Sequence, residues 1–472
     1  MARTDGQDAG GDADVIVVGG GLAGYCAALE AAEAGASVVL CEREPQAGGA
    51  TVLSGGSFAF AGTDLQRSLG IADDAGRLFD DLRRVGGYVN DPALVRLYAD
   101  SQLESYDWLR RLGVTFDKVF IASGQSVPRA HSRNPRQVLD TVIAAAQARG
   151  VRTRLRARVR RLLRRRAGGP VAGVAVDTPQ GRRELAAGSV VLATGGFSRN
   201  DELLRLFAPA QAGAQRMGSD GNTGDGLLMA WELGAALRDM GRIKGTFGSH
   251  PGAGAHDHFI LFPMYAGAIA VNVHARRFTD ESQSYKLIGD ACLQQPRALA
   301  YQVFDSRIFA AGRPGIPAMD FQADLRAGRI VSAPTLAGLA RLLALDPRAL
   351  EDTVAEYNRD ALAGADARFG RASLCNGFGR LAAIEQAPFY AYPSTTVVLA
   401  TYCGLAVDEG MRVLDVRGGP IGGLYAAGGV MGGFHGNAYM TGTANGKATV
   451  FGRVAGRMAA GQAGAALCAP RQ

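Results

Sequence analysis

Four apolar residues, 15–18, stand between a polar N-terminal stretch and the run Gly19-Gly20-Gly21. A short apolar run bounded by turn residues predicts a strand buried on both faces. Small residues after Leu22 predict a helix, and a second apolar run, 37–41, predicts a second strand ending at Glu42. The pattern of an apolar run meeting a glycine pair returns at VVLATGGFSRN (190–200) and at GLYAAGGVMGG (423–433). NTGDGLLMAWELGAAL (222–237) predicts a helix opened by Thr223, Gly224, Asp225 and Gly226. Near the C-terminus, GGFHGNAYMTGTANGKATVFGRVAG (432–456) carries a glycine-rich start and then a helical second half. The arginine-rich stretch VRTRLRARVRRLLRRR (151–166) alternates with Thr153, Leu155, Ala157 and Val159, which predicts a strand with one solvated face.

Composition narrows this picture. A length of 472 residues allows two or three domains with sizeable cores. The 47% hydrophobic and 20% charged content fits a globular chain rather than a disordered one. The 65 glycines cluster at element ends, which points to tight turns and close backbone approach to a ligand. The net charge of +7 arises largely from the 151–166 stretch. No aromatic residues interleave there to stack on bases, so no nucleic-acid partner is expected. Six cysteines (26, 41, 292, 375, 403, 468) form no CxxC pair and no metal-ligand spacing, and are expected to be thiols of a reducing compartment. The N-terminal MARTDGQDAGGDAD lacks the apolar core of a signal peptide, and no apolar run approaches ~20 residues. A cytoplasmic location without a membrane span is the expectation.

Gly19, Gly21 and Gly24 form a G-x-G-x-x-G turn between the first strand and its helix. Each glycine has a task. Gly19 allows the sharp turn, Gly21 lets a pyrophosphate touch the backbone, and Gly24 lets helix and strand pack closely. The helix N-terminus presents free amides to the phosphates. Glu42 at the end of the second strand suits ribose hydroxyls and would repel a 2'-phosphate, which argues against NADP. QAGGATVLSGGSFAF (46–60) adds two glycine pairs around Ala50, Thr51 and Ser54. That is more backbone contact than a nicotinamide cofactor needs, and it suits a long flavin dinucleotide.

The order of VIVVGGGLAG, GGATVLSGG, VVLATGGF, NTGDG, VNVHARRFTDE and GLYAAGGVMGGFHG resembles the flavoprotein family of fumarate reductases, succinate dehydrogenases and 3-ketosteroid dehydrogenases over nearly the whole chain. The resemblance implies FAD and an α/β fold: a Rossmann-like FAD-binding domain with an inserted α+β capping domain. Residues 1–245 and 400–472 would form the first and 246–399 the second. It places FAD contacts at Gly19, Gly21, Leu22, Ala23 and Gly24, at Glu42 and Arg43, and at Gly49, Ala50, Thr51, Ser54, Gly55 and Gly56. Further contacts fall at Val159, at Ala193, Thr194 and Gly195, at Asn222, Thr223 and Asp225, at Gly428 and Gly429, and at Gly442, Thr443 and Ala444. The helix starting near Gly442 would point its N-terminus at the flavin pyrimidine. Relatives with covalent flavin carry a histidine just after the residue-48 glycine pair. This chain has Ala50-Thr51, so non-covalent FAD is expected. Where the family often has glutamate after AAG, this chain has Gly429.

Two active-site departures carry the functional reading. The family's proton-donating arginine four residues past RF-x-x-E is replaced by Tyr285, and the arginine three residues past HG by Tyr439. A histidine before a TMGG-like turn gives way to Ala400 or Thr401. A buried carboxylate needs a cationic partner, so a dicarboxylate substrate is disfavoured. The 3-ketosteroid dehydrogenases use tyrosines in such positions, which implies desaturation α,β to a ketone. Tyr439, with Thr441 or a nearby amide, would polarise the carbonyl. Tyr285 would take the α proton, aided by Lys286 or Arg277, and hydride would pass to flavin N5. His435 would order the flavin loop, and His250 is either a substrate-loop or a plain loop histidine. The expected partners are a small ketone (a 3-ketosteroid or a smaller cyclic ketone) and an electron acceptor not identified by sequence, with no metal. The alternative is a fumarate- or urocanate-type reductase, or a tricarballylate-type dehydrogenase.

Overall fold

The computed structural model describes residues 12–254, 257, 259–364, 366–374 and 379–467. The chain divides into two compact units: one of residues 1–203, 219–242 and 400–472, the other of 204–218 and 243–399. Among the expectations above, Cys375, Cys468 and most of the polar N-terminal stretch lie outside the described residues.

The first unit is a Rossmann-like sheet. The apolar runs form β1 (Ala13–Val18) and β2 (Val38–Cys41), joined by α1 (Leu22–Glu33). β1 pairs in parallel with β2, with Val15 opposite Val38 and Val17 opposite Leu40. β3 (Arg152–Arg154) extends the sheet beyond β2. A hairpin of β4 (Arg158–Arg164) and β5 (Val171–Thr178) leads into the long β6 (Gly181–Leu192), which returns beside β1. From the far end of the chain come β7 (Arg412–Leu414) and β8 (Pro420–Ala426), and β8 lies parallel to β6. Continuous burial of β1, β2 and the end of β6 explains their unbroken apolar runs.

The arginine-rich stretch is not one strand. Its first part belongs to β3 and its second to β4, with Arg156 at φ 53° turning the chain between them. Leu155 is left exposed as a result. The amides of Arg156 and Ala157 donate to the carbonyls of Glu44 and Glu42, which fixes the turn against the end of β2. Several of the arginines meet acids: Arg158 pairs with Asp225 and Arg160 with Asp177.

The last long helix, α2 (Thr443–Leu467), packs on α1 through glycine. A Cβ at Gly452 would stand 2.6 Å from the Ala23 carbonyl, and one at Gly456 2.1 Å from the Ala27 carbonyl. Glycines four apart thus bring two backbones into contact, as the small residues of α1 also require. Arg453, between them, is buried against Glu30 and Ser105.

The second unit is a mixed α+β body. Its sheet is organised on the long strand Phe389–Thr401, which pairs with Ile243–Ser249, Ala300–Asp305, Val331–Ala333 and the short strand Gln215–Arg216. That last pairing draws residues 204–218 into this unit. Its core gathers Ile269, Val303, Phe304, Leu339, Val354 and Tyr392. Among the described residues no helix is long and apolar enough to cross a membrane, and no cluster of His, Cys, Asp and Glu is arranged to hold a metal.

Candidate active site

The strand-to-helix turn after β1 behaves as its glycines dictate. Gly19 has φ 110°, and a Cβ there would lie 2.4 Å from the Ala193 carbonyl. A Cβ at Gly24 would lie 1.9 Å from the Gly19 carbonyl, so only glycine lets α1 start this close to the strand. By contrast, Gly21 has nothing nearer than 3.6 Å, which leaves an open backbone face. Thr51 crosses to this turn, its hydroxyl accepting from the Leu22 amide at 3.0 Å. Glu42 accepts from the Gly20 amide at 2.6 Å and from the Glu44 amide at 2.8 Å. A carboxylate has about four lone-pair sites, so both ribose hydroxyls can still be received there.

The remaining predicted cofactor residues gather on the same sheet edge. Arg43 donates to the Thr223 hydroxyl at 3.0 Å, Thr223 donates to Asp225 at 2.7 Å, and Arg158 donates to Asp225 at 3.0 Å. A Cβ at Gly195 would meet the Asn222 side-chain oxygen at 2.4 Å, and one at Gly428 the Ala23 methyl at 2.8 Å. Asn445 on α2 donates to the Ser54 hydroxyl at 3.1 Å and to the Ser57 carbonyl at 3.0 Å, binding the end of the chain to the 46–60 segment. Val159 lies buried in β4.

These residues fit FAD. Gly49, Ala50, Gly55, Gly429 and Ala444 are exposed, whereas Thr51, Gly56, Gly428 and Thr443 beside them are buried. The result is an open, side-chain-poor track over a closed floor. Two buried hydroxyl oxygens, of Thr194 and Thr401, have no hydrogen-bond partner among the described residues. Both stand at glycines of this edge, Thr194 against Gly226 and Thr401 against Gly196.

Tyr439 lies just before α2. It is 6% exposed, and its ring is parallel to that of Tyr402 (centroids 5.9 Å, 8°), with His435 packed against both. The Ala444 amide, in the first turn of α2, donates to the Tyr439 hydroxyl oxygen at 3.3 Å. The turn is clamped from the 122–125 segment. Thr441 N–H donates to the Ser123 carbonyl at 2.9 Å, and Gln125 donates to the Thr441 carbonyl at 3.0 Å. Gly442, at φ 94°, sits too close to the backbone of Phe58 and Ala59 for any side chain. Tyr402, Ser123 and Gln125 were not found from sequence. They come from distant segments with no motif of their own, though Tyr402 directly follows Thr401.

Tyr285 belongs to the second unit and is the first residue of the helix Tyr285–Leu293. Its buried ring lies parallel to Phe262 (5.4 Å, 7°), which in turn contacts Tyr265. The two suggested helpers are already committed. Arg277 is bound to Glu281 (2.6 Å) and Asp366 (2.8 Å), and Lys286 is paired with Asp290. Burial opposes the Arg277 charge, but its two carboxylates outweigh burial and hold its pKa above the ordinary value. Arg371, fully buried, joins Glu281 at 3.1 Å and caps the Ala268 and Met264 carbonyls. His250 follows the strand Ile243–Ser249, with its ring 5.6 Å from that of Tyr392 and its Nδ1 accepting from the Gly252 amide.

The family model described as FAD binding domain matches residues 14–444. A probable fumarate reductase of Shewanella frigidimarina is 32% identical over 94% of this chain and 74% of its own length. The solved 3-ketosteroid-Δ4-(5α)-dehydrogenase of Rhodococcus jostii, in complex with 4-androstene-3,17-dione, superposes with a TM-score of 0.79 at 27% identity, covering 96% of this chain and 98% of that one. The 4-oxocyclohexanecarboxylate 2-dehydrogenase of Sinomonas cyclohexanicum is 28% identical over 88% of this chain and 87% of its own. Most of the sequence relatives are named as reductases of unsaturated carboxylates.

Proposed function

The chain belongs to the FAD binding domain family, and from that premise we propose that it desaturates a cyclic ketone at the α,β position. It is an FAD-dependent oxidoreductase acting on carbon–carbon bonds. The finer reading is supported above all by the Tyr439 hydroxyl, buried among Tyr402 and His435 and hydrogen-bonded by the Ala444 amide of α2.

That arrangement suits a neutral oxygen. The Ala444 N–H donates to the Tyr439 oxygen, and the phenol is assigned as the group that polarises a ketone oxygen. As the α proton leaves, negative charge grows on that oxygen, where the phenol and the positive end of α2 stabilise it. Tyr285 is assigned as the group that takes the α proton, its oxygen holding the proton until release. A phenol's pKa near ~10 makes it a weak base at neutral pH, so this step depends on surroundings that favour the phenolate. Bound FAD supplies the acceptor for the two electrons and the hydrogen of the β carbon. A small ring ketone agrees with the relative named for 4-oxocyclohexanecarboxylate. The cofactor is assigned as non-covalent, because Ala50 stands where covalent relatives have histidine. Acid precipitation should leave the flavin in the supernatant, and yellow colour in the pellet would refute that assignment.

A second reading, reduction of an unsaturated carboxylate, is favoured by the names of the sequence relatives. One experiment divides the two. Under anaerobic conditions, a ketone panel should bleach the oxidised flavin. If ketones leave it unchanged, while fumarate or urocanate reoxidises the dithionite-reduced enzyme, the second reading is correct.

A further inference from the structure

Lys447 lies in the second turn of α2 and is 2% exposed. Its ammonium donates to the Met431 carbonyl at 3.0 Å, and among the described residues no carboxylate pairs with it. Burying an unpaired charge is costly, and a methionine would fill similar space without that cost. The charge is therefore the feature to explain.

Its surroundings leave the charge uncancelled. Asp239 acts on it electrostatically, but its carboxylate is bound by Arg242 and by the Gly433 amide at 3.1 Å. Cys403, from the segment after the long strand of the second unit, is buried, and burial pushes its thiol up to about 12, so it is neutral. Tyr98 packs under Gly446, the residue before Lys447, and burial drives its phenol pKa far above the ordinary value, so it is neutral too. Met431 is fully buried, bridges to Leu405, and begins the segment that leads to His435 and Tyr439. Lys447 thus joins the helix whose first-turn amide reaches Tyr439 to the chain that delivers Tyr439.

We propose that Lys447 is a positioning residue for the flavin: its buried ammonium adds to the positive end of α2 and, through Met431, fixes the segment carrying His435 and Tyr439. The inference rests on the α2 start facing the flavin, and not on the identity of the substrate. FAD gains negative charge on reduction, and a fixed positive charge inside a low-dielectric helix start favours that state. Burial lowers the Lys447 pKa to about 7, against the opposing effect of Asp239. The ammonium is therefore mostly charged below neutral pH and mostly neutral above it.

The test needs no substrate, so it stands apart from the ketone reading. Midpoint potentials of the FAD-loaded enzyme are measured by dye titration at pH 6 and pH 9 for wild type, Lys447→Met and His435→Gln. Wild type should exceed Lys447→Met by about 30 mV or more at pH 6, one tenfold step for two electrons. The gap should close at pH 9. Equal potentials for wild type and Lys447→Met at pH 6 overturn the proposal. A second measurement covers the case in which Lys447→Met does not fold. The visible band of the oxidised wild-type flavin should shift between pH 6 and pH 9, and His435→Gln should keep that shift. A stationary wild-type band, or a shift abolished by His435→Gln, likewise overturns the assignment.

Discussion

Tyr439 and Tyr285 are both buried, and each lies parallel to another aromatic ring. They are held by opposite means. Tyr439 is fixed by backbone: a positive-φ glycine follows it, a neighbouring strand leaves no room for a side chain, and Ser123 and Gln125 bind the turn through main-chain groups. The helix that starts at Tyr285 is preceded by a segment fixed by charge: Glu281, four residues upstream, joins Arg277, Asp366 and Arg371 in a buried ion network. Backbone clamping sets a position, and a helix amide reaches the phenol oxygen. The ionic clamp spends its cations on carboxylates. The difference teaches that a nearby arginine or lysine in sequence is poor evidence for an activated tyrosine, because the same charge is needed to satisfy buried acids.

Four substitutions probe that contrast. Tyr285→Phe should have the largest effect, a loss of roughly 10²–10⁴-fold in flavin reduction by substrate, as expected for removing a general base. Exchange of the α proton with solvent deuterium should fall with it, while ketone binding survives. Normal exchange in this variant would show that Tyr285 only packs against Phe262.

Arg277→Met comes next, and its effect is on stability. Leaving Asp366 without its guanidinium and Glu281 with Arg371 alone should cost about 3–5 kcal/mol. Urea unfolding followed by circular dichroism reads this directly, and a change under ~1 kcal/mol would mean that the network does not hold the segment. Tyr439→Phe should lower turnover by roughly 10²-fold, the scale of losing one donor to a developing oxyanion. Unlike Tyr285→Phe it should weaken ketone binding, and FAD content should be unchanged. Wild-type kinetics would remove Tyr439 from the site. Tyr402→Leu should be mildest. Losing the parallel ring removes about 0.5–1.5 kcal/mol of aromatic contact and lets the Tyr439 ring turn, so kcat should fall by about tenfold or less. An effect as large as that of Tyr439→Phe would give Tyr402 a direct part in the chemistry.

Much of the glycine-rich edge was legible because its constraints are local. The Gly19, Gly21 and Gly24 spacing reports a turn whose geometry any side chain would break, and the apolar runs of β1, β2 and β6 report burial on both faces. Arg43, just past β2, joins Thr223 and Asp225 of the NTGDG segment in one hydrogen-bonded set. The arginine-rich stretch misled for an equally physical reason. Alternation of side chains reads as one strand, but a parallel partner at β2 and an antiparallel partner at β5 cannot be served without a turn, and Arg156 supplies it.

The sequence by itself determined the fold class, the cofactor turn and the two tyrosines at unusual motif positions, since each depends on residues close together in the chain. Only the tertiary structure decided what surrounds them. Ser123 and Gln125 reach Thr441, Tyr402 stacks on Tyr439, and Asp366 and Arg371 take up the charges beside Glu281. Lys447 is an ordinary helical lysine in the sequence. It becomes a buried ammonium because α2 turns that face onto Met431. Burial and pairing are properties of neighbours brought together from distant segments, and no local spacing encodes them.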